Sequence, residues 1–317
     1  MELDQLRTFL LAAELQSFTQ AARRLSFSQS AISQQIRDLE DRLGVRLFER
    51  HSRSVSLTPA GEILRPRARQ ILDEVERATE ALSEFRGLPQ GVVRIAASTS
   101  PGIYLLPHAL GRFSEAYPGV RASLEVPGQD ELVHMLQQGD LDLAVVEENL
   151  LPSRVFGWEK LPALEDEIVL IAPPDHPLVG KGPLAPETLA EVPMIMRPPE
   201  NPTRQVIHNA LASAGFNPGR LRVRFEIGNT EGLKRAVLAG LGLGFASSYA
   251  IASELEHGTL VVLPLAGVTI TRVIWLVRPA KQRSPMPERF ADLFLRGEWL
   301  PANMHGLTRR VDVPGTV

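Results

Sequence analysis

Residues 26–42 read SFSQSAISQQIRDLEDR. Ile32, Ile36, Leu39 and the following Leu43 recur at helical spacing, so one face of this segment is made for a core. The opposite face carries Ser30, Gln34, Arg37 and Asp41, with Ser33 on its flank. A face that only meets water usually carries Glu and Lys. Serine and glutamine can instead match the donors and acceptors exposed in the DNA major groove. Gln can bond adenine in two places, Ser can read either kind of group, and Ala31 is small enough to lie against a thymine methyl. In helix-turn-helix docking, the N-terminal part of the second helix reaches the base edges. Gln29, Ser30, Ala31, Ser33 and Gln34 are therefore candidate base readers, and Arg37 a partner for bases or phosphate. The plainer alternative is that these groups only cap and solvate the helix, and Ser28 in particular suits an N-cap.

The flanking residues supply the rest of a winged helix-turn-helix. Leu3, Leu6, Phe9, Leu10 and Ala13 mark a first helix. Ser17, with Gln20 three residues on, opens a second through Ala21, Ala22 and Leu25. After Gly44, a plausible C-cap, VRLFER and SVSLT alternate around HSR as a small hairpin. Arg50 and Arg53 flank its tip, where arginine suits phosphates or a narrow minor groove. A long helix then begins at Thr58-Pro59 and runs to about Arg86. Leu64, Ala68, Ile71, Val75, Ala78, Leu82 and Phe85 repeat along it at alternating spacings of four and three, the seam of a coiled coil. That seam fits either a partner helix from a second chain or the helix's own domain. Gly87 to Gly91 reads as a hinge.

From Val92 onward the period changes. VVRIAAS, VRASLEV and LDLAVVE read as strands separated by helices. A second round follows through EIVLIAP, MIMR, VRFEI and LGFAS, and VIWLVRP with a last helix closes it. Strand-helix-strand alternation at this spacing predicts parallel sheet in two small α/β lobes. Residues 301–317 show no periodicity and read as a mobile tail.

Composition excludes several classes. The 317 residues are 44% hydrophobic and 22% charged, with a net charge of -3, so no whole-protein basic field exists and DNA contact must come from a local surface. There is no cysteine. That removes disulfides, thiolate metal sites and cysteine nucleophiles, and it fits a reducing cytoplasm. No apolar run is long enough for a membrane span, and MELDQLRTFLLAAEL lacks the basic start of a signal peptide. The histidines show no paired spacing, so neither metal nor cofactor is expected. Gly240-Leu-Gly242-Leu-Gly244 follows a helix and enters a strand, the reverse of a dinucleotide loop, and reads as a closely packed turn.

The run LDQLRTFLLAAELQSFTQAARRLSFSQSAISQQIRDLEDRLGVRLFERHSRSVSLTPAG closely resembles the DNA-binding domain of LysR-type transcriptional regulators, and the likeness extends to about Leu300. It implies an α/β protein with three parts: a winged helix-turn-helix over 1–58, a dimerising linker helix over 59–87 with a hinge at 88–91, and an effector domain over 92–300. The effector domain would have two lobes of periplasmic-binding-protein type, about 92–164 with 269–300, and about 165–268. It further implies a dimer, commonly assembled into a tetramer, whose action on promoter DNA changes when a small molecule binds.

Ligands in open parallel sheets sit beyond the carboxyl ends of strands. Several turns converge there, and the resemblance carries ligand contacts onto Ser98, Thr99, Ser100, Gln129, Thr203, Asn229 and Thr230. Glu147 and Arg197 stand at strand ends and add charge. For each the plain alternative is helix capping. RPPENPTRQVIHNAL and EIGNTEGLKRAVLAGLGLGF are most similar to regulators of sulfur assimilation and carbon fixation. A small anionic metabolite is accordingly the expected partner, beside promoter DNA and a second copy of the chain. The rival reading, a cytosolic solute-binding module or small-molecule enzyme, leaves residues 1–61 without a use.

Overall fold

The structure, a computed structural model, describes residues 1–50, 55–84, 91–147, 150, 157–280, 285–305 and 308–310. Arg53, Phe85, hinge residues 88–90 and residues 311–317 lie outside the described residues, as does the side chain of Arg50.

The N-terminal unit opens with three helices, α1 (Leu3–Leu15), α2 (Phe18–Leu25) and α3 (Gln29–Leu43), followed by the antiparallel strands β1 (Phe48–Arg50) and β2 (Val55–Leu57). Each helix start has a local cause. Ser17 Oγ accepts the Gln20 amide, and Ser28 Oγ accepts the Ala31 amide. The two helix-to-helix turns are tight enough to hold Gln16 and Ser26 at positive φ, 46° and 59°. Ile32, Ile36 and Leu39 are fully buried with Leu6, Phe9 and Phe48, and each such side chain contributes about 1.5–3 kcal/mol by leaving water. The stripe expected to continue to Leu43 stops at Leu39. Leu43 is 39% exposed because Gly44 turns the chain away in a left-handed C-cap. Glu40 takes its place in the packing: its carboxylate accepts the amides of Leu47 and Phe48 at 2.7 and 3.1 Å, tying the end of α3 to the first wing strand.

Helix α4 (Pro59–Glu84) starts where Thr58 Oγ1 accepts the Gly61 amide. It passes so close to the wing that a Cβ on Gly61 would lie 2.3 Å from the Leu47 carbonyl oxygen. The expected seam divides along this helix. Ala68 is fully buried in the helix-turn-helix core, with Leu64 and Ile71 packed against it and Leu72, an unforeseen member, beside it. Val75 is half-buried, Ala78 exposed and Leu82 67% exposed. The first half of the stripe thus covers the chain's own domain, and only the second half faces outward.

The second unit is a two-lobed α/β assembly. Its elements run β3 (Gly91–Ala97), a wide helical turn at Pro101–Leu105, α5 (Leu106–Ala116), β4 (Val120–Glu125), α6 (Gln129–Gln138), β5 (Leu143–Glu147) and β6 (Trp158–Ala172). They continue with β7 (Met194–Met196), α7 (Pro202–Ser213), β8 (Val223–Glu226), α8 (Thr230–Leu238), β9 (Leu243–Ser247), α9 (Ala252–Glu256), β10 (Val261–Val262), β11 (Thr271–Pro279), α10 (Pro285–Arg296), α11 (Ala302–His305) and β12 (Thr308–Arg310). Strand order is β4-β3-β5-β11-β6-β9-β7-β8.

Within each lobe the expected parallel pairs occur, β3 with β5 and β7 with both β8 and β9. The middle differs from a purely parallel sheet. β6 is one fifteen-residue strand whose first part pairs antiparallel with β11 and whose last part pairs antiparallel with β9. It begins nine residues before the EIVLIAP run that signals it, because WEKLPALED is too polar and proline-bearing to read as a strand. β11 returns from the far end of the chain to lie between β5 and β6.

Two excursions modify the expected lobe limits. Tyr249 and Ala252 pack in the first lobe's core although their neighbours in sequence belong to the second. Within the 301–317 segment expected to be a mobile tail, the described residues form α11, bury Met304 in that same core, and pair β12 with Leu164 to Asp166 of β6. The glycine turn at 240–244 is closely packed: a Cβ on Gly242 would sit 2.6 Å from the Pro193 carbonyl oxygen, which brings β9 against the start of β7.

Candidate nucleic-acid interface and effector cleft

On α3, Gln29, Ser30, Gln34 and Arg37 are exposed, whereas Ala31 and Ser33 are half-buried. The exposed groups are held rather than loose. Arg37 Nη2 donates to Gln34 Oε1 at 2.8 Å, and Gln34 Nε2 donates to Asp38 at 2.7 Å. Ser28 and Ser30 share a hydroxyl contact at 2.8 Å, so Ser28 serves both the cap and its neighbour. Gln35, on the inner flank, accepts the Thr8 hydroxyl at 2.6 Å and fixes α3 on α1. Phe27, 52% exposed at the entry to α3, is a large side chain beside the polar face that the helical period did not single out.

The cleft of the second unit is organised by Arg272, a residue the sequence reading did not select. It stands near the start of β11, only 3% exposed. Its Nε and Nη2 lie 2.8 and 2.7 Å from Asp166 on β6, and its Nη1 lies 3.2 Å from Glu147 at the end of β5. The same guanidinium donates to Thr203 Oγ1 at 2.9 Å and to Ser100 Oγ at 3.3 Å. Ser100 precedes the first helix of one lobe, and Thr203 is at the start of α7 in the other. One buried cation therefore gathers three of the anticipated residues. Ser247, at the end of β9, donates to Asp166 at 2.6 Å.

Burial works against both acids. It pushes the Asp166 carboxyl up, with Arg272 and Ser247 opposing. For Glu147, burial is outweighed by the Arg272 charge and by hydrogen bonds from Ser98 and Ser100, and its carboxyl is held below the ordinary carboxylate range. Arg272 is raised: burial opposes its charge, but Asp166 and Glu147 together prevail.

Arg197, immediately after β7, is different. Its Nε and Nη1 are buried and have no hydrogen-bond partner among the described residues. Burial lowers its proton affinity, and Glu147, Arg272 and Tyr104 lie within its electrostatic reach. Arg197 is half-buried overall, but two buried guanidinium nitrogens without acceptors are costly, and an anionic ligand would satisfy them. Beside it, Tyr104 donates to Glu231 at 2.5 Å, and Lys234 Nζ lies 2.8 Å from Glu231, 2.6 Å from Glu254 and 2.7 Å from the Ala250 carbonyl.

The remaining anticipated residues are placed less centrally. Thr99 is exposed, and Thr230 is half-buried at the start of α8. Asn229 is exposed and accepts the Gly232 amide at 2.6 Å as the α8 cap. Gln129 donates to the Leu150 carbonyl at 2.9 Å. The α7 cap is Asn201, which frees Thr203 for Arg272. The missed residues had little local signal, since Asp166 stands between Glu165 and Glu167 in β6 and Arg272 shares β11 with Arg278.

Residues 3–62 match the family described as bacterial regulatory helix-turn-helix protein, lysR family, and residues 86–298 match the LysR substrate binding domain. The chain belongs to the LysR family. It is a transcriptional regulator with a DNA-binding and an effector-binding part. Among relatives of this LysR regulator, the RuBisCO operon transcriptional regulator of Allochromatium vinosum is 34% identical over 296 residues, covering 93% of this chain and 96% of that one. A probable RuBisCO transcriptional regulator of Trichormus variabilis is 34% identical, covering 92% of this chain and 87% of the relative.

Among solved structures, the Synechocystis CcmR regulatory domain in complex with 2-PG is 31% identical, with TM-score 0.57, covering 66% of this chain and 97% of that one. Full-length CbnR complexed with its target DNA superposes with TM-score 0.62 at 22% identity over 94% of this chain and 99% of that one, a likeness of fold. Among the described residues no helix is long and apolar enough to cross a membrane, and no cluster of acids and histidines could hold a metal ion.

Proposed function

We propose that this LysR regulator reads promoter DNA with Gln29, Ser30, Ser33 and Gln34, and that a compact anionic metabolite docks on Arg197 in the cleft between the lobes. The two unpartnered nitrogens of Arg197, Nε and Nη1, carry the second half of this reading. A phosphate or carboxylate would supply the acceptors they lack, near Arg272 and the hydroxyl groups that Arg272 gathers. The 2-PG complex of the CcmR domain and the RuBisCO-regulator relatives favour a small phosphorylated or carboxylated acid and target genes of carbon fixation.

The outward stripe of Val75, Ala78 and Leu82 meets the same stripe of a second copy, making the chain a cytoplasmic dimer or dimer of dimers. The cleft binds and releases its ligand without catalysis. Calorimetry with a panel of small acids tests the effector half: 2-PG binding to the wild type and its loss in Arg197→Ala are expected. Binding that survives Arg197→Ala, or a panel in which only neutral compounds bind, overturns it.

A further inference from the structure

The groups expected to cradle an anion already surround one, and it belongs to the chain itself. The Glu147 carboxylate is 7% exposed and lies 3.2 Å from Arg272 Nη1. The Glu147 backbone amide donates to Ser98 Oγ at 3.1 Å, and the Ser100 hydroxyl at the same turn accepts from Arg272 Nη2 at 3.3 Å. A strand-end turn with two hydroxyls beside a guanidinium is the chemistry that would hold a phosphate or carboxylate. Two buried acids share Arg272, but they are held differently. Asp166 is fully buried, engages two guanidinium nitrogens and is backed by Ser247. Glu147 touches one nitrogen at a longer distance, from the last residue of β5. Of the two, Glu147 is the exchangeable one.

Charge balance points the same way. Arg197 and Arg272 are matched by Glu147 and Asp166, and nearby the single cation Lys234 already faces both Glu231 and Glu254, so the cluster has no spare positive charge. An incoming ligand with one acidic group adds one anion, which the acceptor-free nitrogens of Arg197 take up without touching Arg272. A ligand with two acidic groups adds a second anion for which no free donor remains. That surplus is relieved if its second group takes the Arg272 position and Glu147 leaves.

We propose that Glu147 is a resident anion in the effector site, a specificity-determining residue that the second acidic group of a two-headed effector must displace from Arg272. This rests on the reading of Arg197 as the first anchor. Because Arg272 also holds Ser100 in one lobe and Thr203 in the other, displacement alters the contact that spans the cleft. One-headed anions occupy Arg197 and leave that contact unchanged.

Titration calorimetry on the full-length protein separates the possibilities, with malonate and phosphoglycolate as two-headed probes and acetate and orthophosphate as one-headed probes. In Glu147→Gln, affinity for the two-headed probes is expected to rise at least tenfold, while the one-headed probes stay within threefold of wild type. Glu147→Asp, which keeps the charge on a shorter arm, should give an intermediate gain and serves if the Gln variant fails to fold. Arg197→Ala tests the underlying anchor and should abolish binding of all four. If Arg197→Ala abolishes binding while neither Glu147 variant gains affinity for two-headed probes, the resident-anion assignment fails and the anchor stands. If Arg197→Ala binds like wild type, the anchor itself fails. Equal gains for one-headed and two-headed probes also overturn the assignment, since Glu147 would then be acting only as a diffuse negative charge.

Discussion

Arg272 Nη1 lies 2.9 Å from Thr203 Oγ1, so a strand of the first lobe grips the start of a helix in the second. The grip is made by a side chain that is itself pinned to Asp166. The interlobe contact and the buried ion pair are therefore one unit, and removing the cation strands two buried acids. Arg272→Met is expected to destabilise the effector domain by about 3–5 kcal/mol, the usual cost of breaking a buried pair from one side. The double variant Arg272→Met with Asp166→Leu should recover part of that loss. Urea unfolding of the four species gives the answer, and strictly additive effects would show that the pair is uncoupled.

Gln34 is exposed, so its truncation touches recognition rather than folding. Gln34→Ala should leave the melting temperature unchanged and cost about 1–3 kcal/mol of discrimination at one base pair, the worth of a good side-chain-to-base contact. Binding measured against a set of single-base operator variants shows this as a flattened preference at one position. Equal loss on every sequence would make Gln34 a bystander.

The split stripe of α4 separates assembly from folding. Leu82→Lys should yield a monomer with an intact fold, seen by sedimentation equilibrium with unchanged circular dichroism. Ala68→Lys, which forces a charge into a fully buried site, should unfold the N-terminal unit instead. A Leu82→Lys protein that remains dimeric would move the interface elsewhere.

Acidification should weaken the second unit through its histidines. Burial, with Arg204 nearby, depresses the His208 imidazole, and burial likewise depresses His176. The folded state then binds a proton less readily than the unfolded chain, whose histidines titrate near ~6.5. The contribution is constant above that value and is lost as pH falls through it toward the lower folded value. Melting temperatures should drop between about pH 7.5 and 5.5, and His208→Gln should shallow that slope. A slope unchanged in the variant would assign the effect to other groups.

Much of the fold is legible because local chemistry writes it plainly. Ser17, Ser28 and Thr58 begin helices by capping, Gly44 ends one, and the isoleucines of α3 state its inner face. What escaped the sequence is what depends on distant chain segments. The first half of β6 is stabilised by β11, more than a hundred residues away, so its own composition gives little hint. The α4 stripe is periodic throughout, yet period alone does not say that α1 and the wing strand β2 cover its first half. At the site, Ser100 and Thr203 were visible from their positions at helix starts, but the residue that unites them was not. Arg272 acquires its meaning only when β11 is inserted between β5 and β6. Asn229 shows the converse, since it has the right chemistry for a ligand and spends it on the α8 cap.

The insertion of β11 also bears on how the protein is made. A nascent chain that has emerged as far as residue 268 already contains β7, β8 and β9, so the later lobe in sequence can close first. The earlier lobe must wait, holding the apolar edge of β5 unpaired until β11 arrives, and Met304 later still. Domains usually mature in the order of their synthesis. In this chain order the β5 edge from Leu143 to Val146 is made long before its β11 partner, so it is the apolar edge left open longest during synthesis.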